Sequence, residues 1–278
     1  METLFAHTYL LITGKLAAGG LLALAVPPFT RLERGFYSSS GAVYLAAAWL
    51  MFGGDLYLYL SQTGQGPVEA LPLALWGLFS LLFTAYYLTL YVEMPVLRAK
   101  LFPAALIAGF AALASSAVGL APQGAAWPAL LGYVTVLWAG AAITGAAVTG
   151  MLLGHWYLID TGLDLAPFSS MLAYCRRCLV VEFSVVAVVL VALALTALGA
   201  DPVWREPLGL AFSSRYALLV AGRLLSWAMA AVLLFMAART LAIPQTMAAT
   251  GLFYIEALVV SVGQIVAHWL LFRTGLPL

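Results

Sequence analysis

Most of this chain is divided into apolar stretches longer than those of a soluble domain. Eight segments have about the 20 apolar residues that a transmembrane helix needs: 4–28, 41–61, 71–92, 103–121, 129–158, 178–199, 216–242 and 246–272. Charged residues make up 8% of the 278 residues, against about a quarter in soluble domains. No segment alternates as membrane β-strands do. The sequence therefore predicts an all-α integral membrane protein, one polytopic bundle of eight transmembrane helices over residues 1–278.

Basic residues between the segments predict how the bundle is oriented. The loops after odd-numbered segments carry seven of them: Arg31, Arg34, Arg98, Lys100, Arg176, Arg177 and Arg239. The termini and the other loops carry three: Arg205, Arg215 and Arg273. Because basic residues accumulate on the cytoplasmic side, we expect both termini outside, in a cell's inner (cytoplasmic) membrane. The first segment lacks a basic start and a cleavage site, so we expect it to be retained.

Small residues on two segments predict close helix packing. Ala142, Ala146, Gly150 and Gly154 recur every four residues and share one face of segment five, and segment one contains Ala-Ala-Gly-Gly at 17–20. Such positions let helix backbones approach each other in a membrane.

Several polar residues lie inside the apolar segments. A charge at the bilayer centre costs roughly 3 kcal/mol on insertion scales, so it usually has a partner and a function. Counting about 1.5 Å per residue places one group of these residues in the outer half of the membrane. That group comprises His7, Lys15, Asp55, Arg223, Gln264 and His268, with Glu256 just below it.

Two interpretations of these residues stay open. They form structural ion pairs, Asp55 with Arg223 or Lys15 with Glu256, or they converge on a polar pocket or proton relay, which we favour. We place Glu182 near the inner face, where it either takes up protons or, as we favour, simply reaches cytoplasmic water.

The histidines and cysteines bear on cofactors. A b-type haem normally takes two histidines at equal depth on different helices. Because the chain has three histidines, we expect no haem, with one b-type haem between His7 and His268 as the alternative. Cys175 and Cys178 form a single C-x-x-C without a second pair, so we expect no metal site and no disulfide framework. The net charge of +1 argues against nucleic acid as a partner.

Three stretches resemble a known family. Gly14-Lys15-Leu-Ala-Ala-Gly19-Gly20 resembles the first helix of the DMSO-reductase-type membrane anchors, where Gln usually stands at position 15. The stretch 216–225, which contains Arg223, resembles their Arg-bearing seventh helix. Gly263-Gln264-Ile-Val-Ala-His268 resembles their last helix, although Gln264 and His268 replace the family's Glu and Arg. The eight spans with both termini outside also match this family and the broader NrfD-type anchors.

The resemblance implies a haem-free membrane anchor subunit of a respiratory oxidoreductase complex. It would exchange electrons between menaquinol or ubiquinol and an iron–sulfur partner at the outer face, beside a larger catalytic subunit. Asp55, the polar group nearest to the family's quinol-site histidine, and Glu256 would hand on protons. The quinone would be held by His7, Lys15, Arg223, Gln264 and His268. Two other classes remain open: a transporter or ion-translocating subunit with a charged midplane site, and a structural or assembly subunit.

Overall fold

The chain is all-α throughout the residues that the computed structural model describes, which are 2–61, 67–92, 94–122, 124–160, 162–199 and 202–278. The long helices are α1 Glu2–Ala23, α2 Arg34–Ser61, α3 Pro67–Leu88, α4 Pro95–Leu120, α5 Trp127–Ile159, α6 Ala166–Leu198, α8 Ala217–Ala242 and α9 Thr246–Thr274. A 3₁₀ turn, Pro202–Trp204, and a short helix α7, Arg205–Ala211, connect α6 to α8. The prediction of an all-α fold is thus confirmed.

Seven helices of the described part are long and apolar enough to cross a membrane. They are α2, α3, α4, α5, α6, α8 and α9. The chain is therefore a multi-pass membrane protein by length and composition. The first predicted segment corresponds to α1, which has 22 residues and includes Lys15. The number of eight spans and the outer position of both termini stay predictions.

One helix begins well before the apolar segment that predicts it, which matters for the site. Segment six was expected to begin at 178, but α6 begins at Ala166. Arg176 and Arg177 made this stretch look like a loop, whereas both are exposed positions on the helix.

Helix α5 forms the centre of the bundle and lies in backbone contact with α1. A Cβ atom added to Gly19 would lie 1.8 Å from the carbonyl oxygen of Ala141, and one added to Gly145 would lie 1.9 Å from the carbonyl carbon of Gly19. Farther along α5, Gly150 leaves room for the ring of Phe253 on α9. The small residues of segments one and five therefore do allow close packing, as predicted.

Candidate functional site

Four helices meet around one buried group of hydrogen-bonded side chains, which we call the central network. It consists of Lys15 on α1, Glu182 on α6, Arg223 and Trp227 on α8, and Gln264 on α9. Glu182 and Gln264 are each no more than 2% exposed. Such burial in a membrane bundle requires that polar groups find partners within the protein.

Glu182 is the hub of the central network. Its Oε1 accepts a hydrogen bond of 2.7 Å from Arg223 Nη2 and one of 2.5 Å from Gln264 Nε2. Its Oε2 accepts a bond of 2.8 Å from the indole N–H of Trp227. The guanidinium of Arg223 also lies 4.3 Å from the centre of the Trp227 ring, a cation–π distance. Three donors and an adjacent cation make an ionised carboxylate tolerable at this depth.

Gln264 connects Glu182 to Lys15. Its amide oxygen accepts a bond of 2.9 Å from Lys15 Nζ while its amide nitrogen donates to Glu182. Gly140 on α5 makes room for this contact, because a Cβ there would lie 2.7 Å from Lys15 Nζ and 2.8 Å from Gln264 Oε1. The network thus depends on a glycine of the central helix.

Neither ion pair considered from the sequence forms. Arg223 pairs with Glu182 rather than Asp55, and Lys15 bonds to Gln264 rather than Glu256. The expectation that Glu182 reaches cytoplasmic water is also wrong. Because α6 runs from Ala166 to Leu198, Glu182 lies midway along it and far from either end.

A cavity of about 780 Å³ lies between α1, α2, α3 and α4, and Phe272 of α9 also lines it. We call it the α1–α4 cavity. Leu10, Leu11 and Met51 provide apolar wall, whereas His7 and Asp55 are the residues of its lining that can carry charge. His7 lies within electrostatic range of the half-buried Asp55 carboxylate.

The predicted site residues therefore do not form one site, because some line the α1–α4 cavity and others belong to the central network. His7 and Asp55 line the cavity, and Lys15, Arg223 and Gln264 belong to the central network.

His268 is 2% exposed, and neither ring nitrogen has a hydrogen-bond partner in the described part of the chain. Glu256 is 1% exposed, and both its carboxyl oxygens are likewise without a partner there. His7 lines the α1–α4 cavity, and His268 is not part of that lining. Among residues with described positions, no three His, Cys, Asp or Glu side chains form a group suited to a metal ion.

Glu182 and Trp227 are members of the site that sequence reasoning missed. Trp227 follows Arg223 by four residues, so the two share one helix face, and this spacing could have revealed it. Glu182 lies between Val-Val and Phe-Ser-Val-Val, an apolar context that already indicated burial. The nearby Arg176 and Arg177 concealed that signal by suggesting a helix end.

Comparison with protein-family models, curated proteins and solved structures gives no match for this chain.

Proposed function

We propose that this protein is a multi-pass subunit of a respiratory oxidoreductase complex, and that it binds a membrane quinol in the α1–α4 cavity. The observation that carries the proposal is the cavity itself, an apolar space among membrane helices with one imidazole and one carboxylate in its lining. The sequence resemblance to DMSO-reductase-type and NrfD-type anchors supports the same conclusion, as do the apolar helices that place the chain in a bilayer.

The size and lining of the cavity suit a quinone headgroup. Ligand pockets usually have volumes of about 300–1,000 Å³ and combine apolar walls with a few polar groups. The volume here is about 780 Å³, and Leu10, Leu11 and Met51 offer apolar contact to a ring. Ser115 and Ser116 of α4 add hydroxyl groups, and Ser116 Oγ already accepts a bond of 3.2 Å from Trp76 Nε1.

His7 and Asp55 can manage the protons of quinol oxidation. Converting a quinol to a quinone releases two electrons and two protons. In this proposal the imidazole of His7 accepts one quinol proton, and the carboxylate of Asp55 accepts the other. The two electrons would pass one at a time to the iron–sulfur partner subunit at the outer face, beside the larger catalytic subunit. The reverse sequence would reduce a quinone.

The central network has a supporting role in this proposal. Lys15 follows Leu11 of the cavity wall by one helical turn, so the network lies just behind that wall. By joining α1, α6, α8 and α9 it fixes the position of α1 against the rest of the bundle. The network would then affect quinol binding by holding the cavity wall in place, and its residues Arg223, Gln264 and Lys15 would not contact the headgroup.

A pair of glycine variants tests the proposal with a matched control. A Cβ at Gly119, which lines the cavity, or at Gly222 on α8 meets no atom within 4 Å, so a side chain can begin at either position without a clash. We expect Gly119→Phe to weaken binding of a fluorescent quinol analogue, a hydroxyquinoline N-oxide, by about tenfold or more, or at least about 1.4 kcal/mol. Gly222→Phe should bind as the unaltered protein does.

Equal affinities of the two variants and the unaltered protein would overturn the cavity as the quinol site.

Asp55→Asn and His7→Phe provide a second measurement, since each should reduce quinol oxidation in the assembled complex without reducing the amount of complex. A purely structural subunit would give normal turnover in both, and a transporter would give no binding of the analogue at all.

A further inference from the structure

Ser116, in the lining of the α1–α4 cavity, is held differently from the serine and threonine of the neighbouring helix α3. Its Oγ accepts a hydrogen bond of 3.2 Å from Trp76 Nε1, and among the described residues this is the only hydrogen bond of its side chain. By contrast, Ser80 and Thr84 of α3 donate to backbone carbonyl oxygens four residues earlier, at 2.9 and 2.7 Å. A bond of that kind uses the hydroxyl proton inside the helix. The proton of Ser116 is not used in this way.

The indole of Trp76 restricts the direction of that proton. An indole N–H can donate but cannot accept, so Ser116 Oγ must offer it a lone pair. The O–H bond of Ser116 therefore points away from the indole. Because Ser116 lines the α1–α4 cavity, its hydroxyl proton is free to donate to an oxygen of a molecule bound there.

Trp76 is itself fixed by its packing. Its side chain is fully buried, and its ring lies 5.8 Å from that of Phe79 with its edge toward that ring. The glycine at position 14 of α1 makes room for it, because a Cβ at Gly14 would lie 2.7 Å from Cη2 of Trp76. A donor held by packing on two helices orients its acceptor before any ligand binds, as a preorganised binding site requires.

Ser116 and Asp55 belong to opposite walls of the cavity. The four helices pack in a ring, α1 against α2, α2 against α3, α3 against α4 and α4 against α1. Asp55 is on α2 and Ser116 is on α4, so the two residues lie on helices that face each other across the ring. The ring of a para-quinone likewise has its two oxygens at opposite ends.

We propose that the Ser116 hydroxyl donates a hydrogen bond to one oxygen of a para-quinone headgroup, while the opposite oxygen lies at His7 and Asp55. Trp76 is a positioning residue, because it acts on the headgroup through Ser116. The carbonyl oxygen of a quinone and the hydroxyl oxygen of a quinol both have the lone pair that such a donor needs. This inference rests on the proposed function, to which it adds the orientation of the headgroup and the class of ring that fits.

Binding of the hydroxyquinoline N-oxide, whose two oxygens also stand at opposite ends of one ring, tests Ser116 against its neighbour. Ser115 is the matched control, because it lines the same cavity on the same helix but does not accept the bond from Trp76. We expect Ser116→Ala to weaken binding about fivefold through the loss of one hydrogen bond, and Ser115→Ala to bind as the unaltered protein does. Unchanged binding in Ser116→Ala, or an equal loss in Ser115→Ala, would overturn the role of Ser116.

Trp76→Phe tests the positioning role, since phenylalanine keeps a ring but has no N–H. We expect it to weaken binding about threefold when Ser116 is present and to cause no further loss in the double variant with Ser116→Ala. A purely structural effect predicts the opposite result. Ser116→Ala leaves the buried indole N–H without its acceptor, so removing the indole as well would restore binding. Restored binding in the double variant would therefore reject the proposed contact, and unchanged binding in Trp76→Phe would reject the role of Trp76.

Infrared spectroscopy of bound quinone identifies the oxygen that Ser116 contacts. The probes are a short-chain ubiquinone and a short-chain menaquinone, each labelled isotopically at one ring carbonyl at a time. In the unaltered protein a hydrogen bond lowers the stretching frequency of the carbonyl at Ser116, and Ser116→Ala should return that frequency to its value in lipid. His7→Phe should leave this carbonyl unchanged and move the other.

The outcomes separate this inference from the proposed function. If Ser116→Ala moves neither carbonyl, or moves both alike, the contact with Ser116 is rejected while the cavity remains the quinol site. If neither the two quinones nor the N-oxide binds to the unaltered protein, the inference and the proposed function are rejected together.

Discussion

Arg223 and Glu182 form a buried ion pair whose removal should cost much more than that of an exposed pair. Their charged atoms are 2.7 Å apart, and the two side chains are 4% and 2% exposed. Removing one partner of a buried pair leaves an uncompensated charge and typically costs about 3–5 kcal/mol. We therefore expect Arg223→Met to lower the free energy of unfolding by about that amount, and Glu182→Gln to do the same.

The double variant separates an ion pair from two independent contributions. When both charges are removed, no unpaired charge remains in the bundle, so part of the loss should be recovered. We expect a coupling energy of about 2–3 kcal/mol between Arg223 and Glu182. Asp55→Asn combined with Arg223→Met should show no coupling, since Asp55 lines the α1–α4 cavity and is not the partner of Arg223.

Unfolding in mixed micelles with an increasing mole fraction of SDS, followed by circular dichroism, measures these energies. The exposed pair Arg31–Asp164 is an internal control, because its atoms are 2.9 Å apart but its side chains are 54% and 62% exposed. Arg31→Ala should cost less than about 1 kcal/mol. Costs of similar size for Arg31→Ala and Arg223→Met would refute the reasoning, as would a larger coupling of Arg223 to Asp55 than to Glu182.

Four further substitutions test the packing and one hydrogen bond of the bundle. Gly140→Ala places a methyl group 2.7 Å from Lys15 Nζ and should destabilise by about 1–3 kcal/mol, and a neutral effect would contradict the fit described. Gly19→Ala should prevent folding, because its Cβ would lie 1.8 Å from a backbone oxygen of α5. Gly222→Ala should be tolerated, because no atom lies within 4 Å of a Cβ there. Equal expression of these two variants would count against the α1–α5 contact. Trp227→Phe keeps an aromatic ring but loses the indole donor to the carboxylate, which should cost about 1–3 kcal/mol, less than loss of the arginine.

The sequence predicted which residues are buried better than it predicted which of them touch. Lys15, Arg223, Gln264, His268 and Glu256 were all placed inside the bundle from their apolar surroundings, and all five are buried. The position of a residue along its helix follows from the rise per residue, so it can be read from the sequence by counting residues. Partners depend also on the rotation of each helix about its axis, and a nearly uniform apolar sequence contains little information about that rotation.

The start of α6 had the largest effect on the predicted site. A helix beginning at 178 would have Glu182 in its first turns, whereas α6 begins at Ala166 and has Glu182 midway along its length. Glu182 is the partner of Arg223, whereas the Glu256 carboxyl has no hydrogen-bond partner among the described residues. The α1–α4 cavity likewise could not be predicted, because it exists only where four helices separate while α1 stays in contact with α5.

The sequence by itself determined that this chain is a helical bundle of a membrane. Long apolar segments leave the backbone no water to bond to, so each segment must satisfy its own N–H and C=O groups as a helix. The tertiary structure alone decided that Glu182 would be the hub of the polar interior and that Glu256 would stand apart. Hydrogen bonds extend only about 3 Å, so one turn of a helix or one residue of register selects which buried side chains meet.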